Sequence, residues 1–212
     1  MTHTIVGVVE PELRAVERER AVRKPPGSLD AWATYQRGLW NLSTFGDEET
    51  GEAVRLFQRA HELDPSFVAA YAHDAFTRYL RVICGYSESP DEDLAAGLTA
   101  AKKATTPDDK DTVGYFALGR VLMMLDQHDA SIGQLEHSIR LDPSFSQAHH
   151  GLGFALALAN LGRIDEARAA IEKAIEWKPD LTLSFVETNM PTKQPGGLAP
   201  YLDGLRTAGL PA

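Results

Sequence analysis

Small and large apolar positions alternate along this chain at intervals of four and three. Ala53, Phe57 and Ala60 form one such set, Ser131, Leu135 and Ser138 a second, and Ala167, Ile171 and Ala174 a third. That spacing places all three members of a set on one side of a helix. The small members let a second helix approach closely, and the large one fills the space between the two. Each set is followed by a proline: Pro65, Pro143 and Pro179. A weaker set, Ala95, Thr99 and Lys102, precedes Pro107, with Leu94, Leu98 and Ala101 nearby to supply the apolar stripe. Proline cannot continue a helix, so each marks a stop. Ser66, Asp108, Ser144 and Asp180 follow directly and are expected to cap the next helix.

The segments around these prolines repeat. Leu63-Asp64-Pro65-Ser66-Phe67 recurs as Leu141-Asp142-Pro143-Ser144-Phe145, and Trp177-Lys178-Pro179-Asp180-Leu181 is a looser copy. Successive prolines lie 42, 36 and 36 residues apart. Upstream of each set lies a second helical pattern: Tyr35, Gly38, Leu39 and Leu42; Tyr115, Leu118, Gly119 and Leu122; His149, Leu152, Gly153 and Leu156. In the first and last copies the interval to the following set is longer, which predicts an extended hairpin. The second copy carries Asp74 where the others place an apolar residue. Either Ala72, Ala75 and Tyr79 turn inward through a one-residue slip, or an Asp74–Arg78 pair is buried. The slip is expected, because burying an ion pair usually costs more than it returns.

This pattern resembles the tetratricopeptide repeat, W-x2-L-G-x2-Y…A-x3-F…P. The copy from Tyr115 to Pro143 meets every interval. The resemblance implies an all-α fold: a right-handed superhelix of four helix-turn-helix repeats, at about 29–65, 66–107, 108–143 and 144–181. Residues 1–27 read as an N-terminal helix and linker. Its helix, from Thr4 to Arg23, carries an apolar stripe of Ile5, Val8, Val9, Leu13 and Val16, and Pro25-Pro26-Gly27 breaks the chain after it. Arg14, Arg18, Arg20, Arg23 and Lys24 give its second half a basic face, read as solvated rather than as a partner contact. Residues 182–212 read as a loop, Glu187 to Gly197, followed by a capping helix with Leu198, Tyr201, Leu202 and Leu205, Pro200 in its first turn and Gly209 past its end.

The flanks narrow the resemblance. The runs Ile5–Leu13, Lys24-Pro25-Pro26, Leu29–Trp32, Tyr35–Trp40 and Tyr201–Pro211 are similar to the C-terminal region of bacterial adenylate/guanylate cyclase-related proteins. In that family a cyclase or DNA-binding domain precedes the repeats on a longer chain.

Composition removes several other classes. The 212 residues are 43% hydrophobic and 24% charged, enough to bury a core. A net charge of −9 argues against a nucleic-acid module that relies on a basic surface. One cysteine, Cys84, makes no internal disulfide, and we read it as a small packing residue. No apolar run approaches the ~20 residues of a membrane span, and no signal peptide is evident, so the expected location is the cytoplasm. No P-loop, zinc-protease or nucleophile-elbow motif occurs, and Gly151-x-Gly153 sits in a repeat helix, not after a strand. His149 and His150 point ~100° apart on a helix and do not by themselves form a metal site. No cofactor, no metal and no catalytic residue is expected.

The expected activity is therefore recognition. By the family resemblance, the first helices of successive repeats line a concave groove with Gln36 and Trp40, His73 and Thr77, Phe116, Arg120 and Met123, and His150 and Phe154. Large apolar residues beside few donors suit a protein or peptide partner, such as an amphipathic helix or an extended segment with apolar anchors. Neither nucleic acid nor membrane is an expected partner, and a homodimer is an alternative. Two further alternatives are a free-standing repeat protein that self-associates and the regulatory arm of a chain with cyclase activity. The chain's own tail, 182–212, or its N-terminal helix could instead fill the groove.

Overall fold

The computed structural model describes residues 30–105, 111–145, 147–152, 164–190, 192 and 198–212. Every regular element among them is helical. In chain order these are α1 (Ala31–Thr44), α2 (Asp47–Leu63), α3 (Val68–Ile83), α4 (Pro90–Ala104), α5 (Thr112–Met124), α6 (His128–Leu141), α7 (Ile164–Trp177), α8 (Leu183–Asn189) and α9 (Ala199–Thr207). Residues 147–152 are also helical. Each of α1 to α5 packs against the next helix in sequence, and α3 also packs directly on α5. That is the arrangement of stacked antiparallel pairs. The N-terminal helix expected at 4–23 and groove residue Phe154 lie outside the described residues.

The small–large–small sets do what their spacing requires. Ala53, Phe57, Ala60, Ser131, Leu135, Ser138, Ala167, Ile171 and Ala174 are all no more than 1% exposed. Glycines on the partner helices meet the large members: a Cβ on Gly38 would lie 2.6 Å from the Phe57 ring, and one on Gly119 would lie 2.7 Å from Leu135 Cγ. The serines add polar stitches, since Ser131 Oγ donates to the Gly119 carbonyl at 2.8 Å and Ser138 Oγ to the Thr112 carbonyl at 2.9 Å.

The second repeat departs from the sequence reading twice. Ala95, Thr99 and Lys102 are all exposed, and the buried stripe on α4 is Gly97, Ala101 and Ala104, with Leu94 and Ala100. The four-three spacing is present but lies two residues later than its distance from Pro107 indicates. Second, the Asp74–Arg78 pair is buried, with Arg78 Nε 2.8 Å from Asp74 Oδ1. Ala72, Ala75 and Tyr79 are buried as well, so α3 is covered on both sides and no slip is needed to hide them. Arg78 also reaches Asp93 on α4 at 2.5 Å, and Asp93 accepts from Ser87 Oγ. A guanidinium shared by two carboxylates across two helices offsets desolvation better than an isolated pair.

Helix ends differ from expectation too. Ser66 and Ser144 do not cap the following helix; each donates through its backbone N–H and hydroxyl to the preceding aspartate, Asp64 or Asp142. The side-chain caps are Asp30 on α1, Asp111 on α5 and Thr182 on α8. Asp180 instead pairs with Lys178. Glu187 to Asn189, expected in a loop, belong to α8. The final helix ends as predicted: Gly209 adopts φ 92°, and the Gly209 and Leu210 amides donate to the Arg206 and Leu205 carbonyls. These paired bonds close the left-handed turn that glycine permits.

Candidate functional site

A cavity of about 640 Å³ lies on the side of the array formed by the first helices of the pairs. Leu39 and Leu42 of α1, His73, Phe76 and Tyr79 of α3, and Phe116 and Arg120 of α5 make one wall. His150 extends it, and Leu181, Phe185, Val186, Met190 and Tyr201 form the opposite wall. The cavity thus lies between the repeat helices and the C-terminal segment and is open to solvent. Its walls are mainly aliphatic and aromatic, Ser43, Gln147, Lys178 and Asn189 also line it, and among the described lining residues none is Asp or Glu.

The polar end of the cavity is built around Arg120, which is 3% exposed. Its guanidinium carbon sits 4.5 Å from the Tyr79 ring centre, 5.2 Å from that of Tyr201 and 5.9 Å from that of Phe116. Its Nη2 donates to the Tyr79 and Tyr201 hydroxyls, the latter at 2.7 Å. Tyr201 Oη also lies 3.3 Å from His150 Nε2. Burial holds the Tyr79 phenol well above its usual range, so it stays neutral. Burial, then the adjacent Arg120 charge, pushes His150 down to about 3, so its imidazole is neutral as well. Arg120 therefore places a positive charge beside neutral rings in a low-dielectric setting, where a carboxylate would be strongly attracted.

This architecture is shared with known proteins. Residues 151–181 match the tetratricopeptide repeat family model. The crystal structure of TTC0263, a thermophilic TPR protein of Thermus thermophilus, superposes with a TM-score of 0.58 at 19% identity, over 84% of this chain and 91% of that one. YrrB, a TPR protein with an unusual peptide-binding site, superposes with a TM-score of 0.50 at 22% identity, over 85% and 81% of the two chains. The fold is a tetratricopeptide-repeat array. A protein of Rhizobium meliloti (strain 1021) named "Putative adenylate cyclase 3" is 27% identical over 129 residues, 61% of this chain. The match spans 22% of that relative's length.

Within the tetratricopeptide array, the expected groove residues divide. His73, Phe116, Arg120 and His150 all line the cavity. Trp40 stands at 43% exposure, next to lining residue Leu39 on α1. Gln36, Thr77 and Met123 do not line the cavity and are buried in the helix packing, with Thr77 Oγ1 donating to the His73 carbonyl at 2.6 Å. The tail residues Phe185, Val186 and Tyr201 are lining residues that the groove assignment left out. Tyr201 is 81 positions from Arg120, and no local spacing announces the contact.

The remaining chemistry is structural. Cys84 is 1% exposed, and burial raises its thiol to about 12, which leaves it protonated and unreactive. His149 Nε2 lies 3.0 Å from the Pro143 carbonyl, tying the helical turn at 147–152 to the preceding loop. Among the described residues, no three His, Cys, Asp or Glu side chains come together as metal ligands, and no helix is long and apolar enough to cross a membrane.

Proposed function

We propose that this tetratricopeptide array is a protein-interaction scaffold whose concave face captures a partner segment bearing two or three apolar anchors and a nearby carboxylate. The observation that carries the reading is the cavity itself: first helices of successive repeats converge on an apolar chamber with a cation, Arg120, at one end. Trp40, an exposed aromatic one position from lining residue Leu39, is assigned here to the rim, and His73, Phe116 and His150 continue the surface inward. Gln36, Thr77 and Met123 hold the helices that present these groups, and Phe154 extends the same face in the groove assignment. The peptide-binding description attached to YrrB is consistent with this use of the fold.

Trp40→Ala tests it. Truncating an aromatic anchor costs at least ~2 kcal/mol of binding, or about thirtyfold in affinity, for a peptide selected on the full chain. Because Trp40 is half exposed, the variant's melting temperature should stay within a few degrees of the parent. Unchanged affinity, or a loss that follows only from unfolding, refutes the assignment.

A second reading concerns context. The likeness to a protein named as an adenylate cyclase favours an array that serves as the interaction or regulatory arm of a longer cyclase-related signalling chain. The genomic sequence encoded upstream of Met1 tests this directly: an in-frame cyclase domain supports it, and a stop codon with an independent promoter overturns it.

A further inference from the structure

The C-terminal segment stands where a partner would. Leu181, Phe185, Val186 and Met190 present apolar side chains to the chamber, and Tyr201 supplies the polar contact at its deep end. This matches the layout assigned above to a partner: apolar anchors plus one oxygen on the Arg120 guanidinium. Arg120, Tyr79 and Phe116 are each under 5% exposed, with Tyr201 over them. A partner carboxylate that takes the Arg120 Nη2 bond now made to Tyr201 must displace that hydroxyl.

We propose that residues 181–190 and 198–211 act as an intramolecular ligand of the concave face, and that a partner's carboxylate binds by displacing the Tyr201 hydroxyl from Arg120. The proposal rests on the scaffold reading and adds its regulation: the groove is self-occupied, and the tail sets the threshold for capture. Three features make the tail a separable element. Its two ends are tied to each other, through the Leu183 amide donating to the Pro211 carbonyl at 2.7 Å. Its second helix, α9, is capped by its own terminal turn and does not depend on a repeat helix to end. The bond it makes to Arg120 joins a charged donor to a neutral phenol, and an anionic acceptor in its place makes a stronger charge-assisted bond.

The test uses the full chain, with sodium decanoate as the probe because it offers one carboxylate on an apolar body. Tyr201→Phe removes the hydroxyl and keeps the ring in the core. Amide hydrogen exchange in α9 should accelerate about tenfold in this variant while α1 to α6 exchange at the parent rate, and decanoate should bind it about tenfold more tightly than the parent. In the parent, decanoate binding should speed exchange in α9. Decyltrimethylammonium, with the same tail and a positive head, should show no preference for the variant. Equal decanoate affinity in the two proteins, or α9 remaining protected with decanoate bound, overturns the proposal. So does exchange rising uniformly across the variant, which would make Tyr201 an ordinary core residue. Arg206→Gln, on the exposed side of α9 where Arg206 pairs with Asp203, leaves the Tyr201–Arg120 bond in place and should keep the parent's decanoate affinity; a tenfold change there would make the α9 surface, not the Tyr201 hydroxyl, the determinant and also overturn it. A Trp40-dependent peptide that binds while α9 stays protected defeats the gate and leaves the scaffold standing, whereas an open α9 with Trp40→Ala neutral for peptide defeats the scaffold alone.

Discussion

Two glycines on neighbouring helices of the third repeat should respond to the same substitution with opposite sign. A Cβ placed on Gly119 of α5 lies 2.7 Å from Leu135 Cγ, 3.0 Å from Leu135 Cδ2 and 3.2 Å from the Ser131 carbonyl oxygen. Leu135 is fully buried, and Ser131 is pinned to the Gly119 carbonyl, so neither yields without moving α6. A Cβ on Gly133 of α6 meets nothing within 4 Å. Alanine at either site gains helix propensity, worth ~1 kcal/mol. At Gly133 that gain stands alone, and Gly133→Ala should stabilise by ~0.5–1 kcal/mol. At Gly119 overpacking must exceed the gain, leaving Gly119→Ala destabilised by ~1–2 kcal/mol and Gly119→Leu by up to ~3 kcal/mol. For a chain of this size that is a fall of ~2–8 °C in melting temperature for Gly119→Ala and up to ~12 °C for Gly119→Leu. Urea unfolding followed by circular dichroism reads both variants, and a Leu135→Ala background isolates the cause. Removing the Leu135 side chain removes the two closest contacts and leaves only the Ser131 carbonyl at 3.2 Å, so Gly119→Ala should cost much less there. If Gly119→Ala matches Gly133→Ala in stability, the third repeat is not packed as described.

Further outcomes follow from the polar interior. Arg78→Ala leaves Asp74 buried without its guanidinium and should cost ~3–5 kcal/mol in urea unfolding; a loss below ~1 kcal/mol would show that the Asp74–Arg78–Asp93 cluster is dispensable. His150 is held at about 3 in the folded chain, below the ~6.5 of an unfolded histidine, so the unfolded state binds the extra proton between those values. Its contribution is fully present above pH 6.5 and is lost as pH falls towards 3. The melting temperature of His150→Gln should therefore decline less steeply over that range than the parent's, and parallel curves would refute the depressed value of this imidazole.

The pairing of helices was legible because each pair must satisfy a local steric rule. Ala53, Phe57 and Ala60, and their counterparts in the third and fourth repeats, can pack only as a small–large–small face, and the chain writes that face within eight residues. In the second repeat the proline is a poor ruler: Gly97, Ala101 and Ala104 obey the spacing but sit closer to Pro107 than the other sets do to theirs. A pairwise argument disfavours a buried Arg78 because its second carboxylate, Asp93, comes from the next helix. The helix Leu183–Asn189 was hidden by its proximity to a proline- and glycine-rich stretch and by its two turns, too few to show a period. At the candidate site, the concave positions of α3 and α5 followed from the repeat pattern, and His73, Phe116 and Arg120 fall on the cavity. The aromatic box around Arg120 did not, since Tyr79 and Tyr201 reach it from 41 and 81 positions away. Only tertiary contact brings those rings together.

Recognition on the concave face is tested by the hydrogen-exchange footprint of a peptide selected from a random display library on the full chain. The predicted footprint is protection of residues 39–45 in and after α1, 73–80 in α3 and 113–120 in α5, with a selected sequence that pairs apolar residues with Asp or Glu. Protection confined to α2, α4 and α6, the second helices of the pairs, would contradict it.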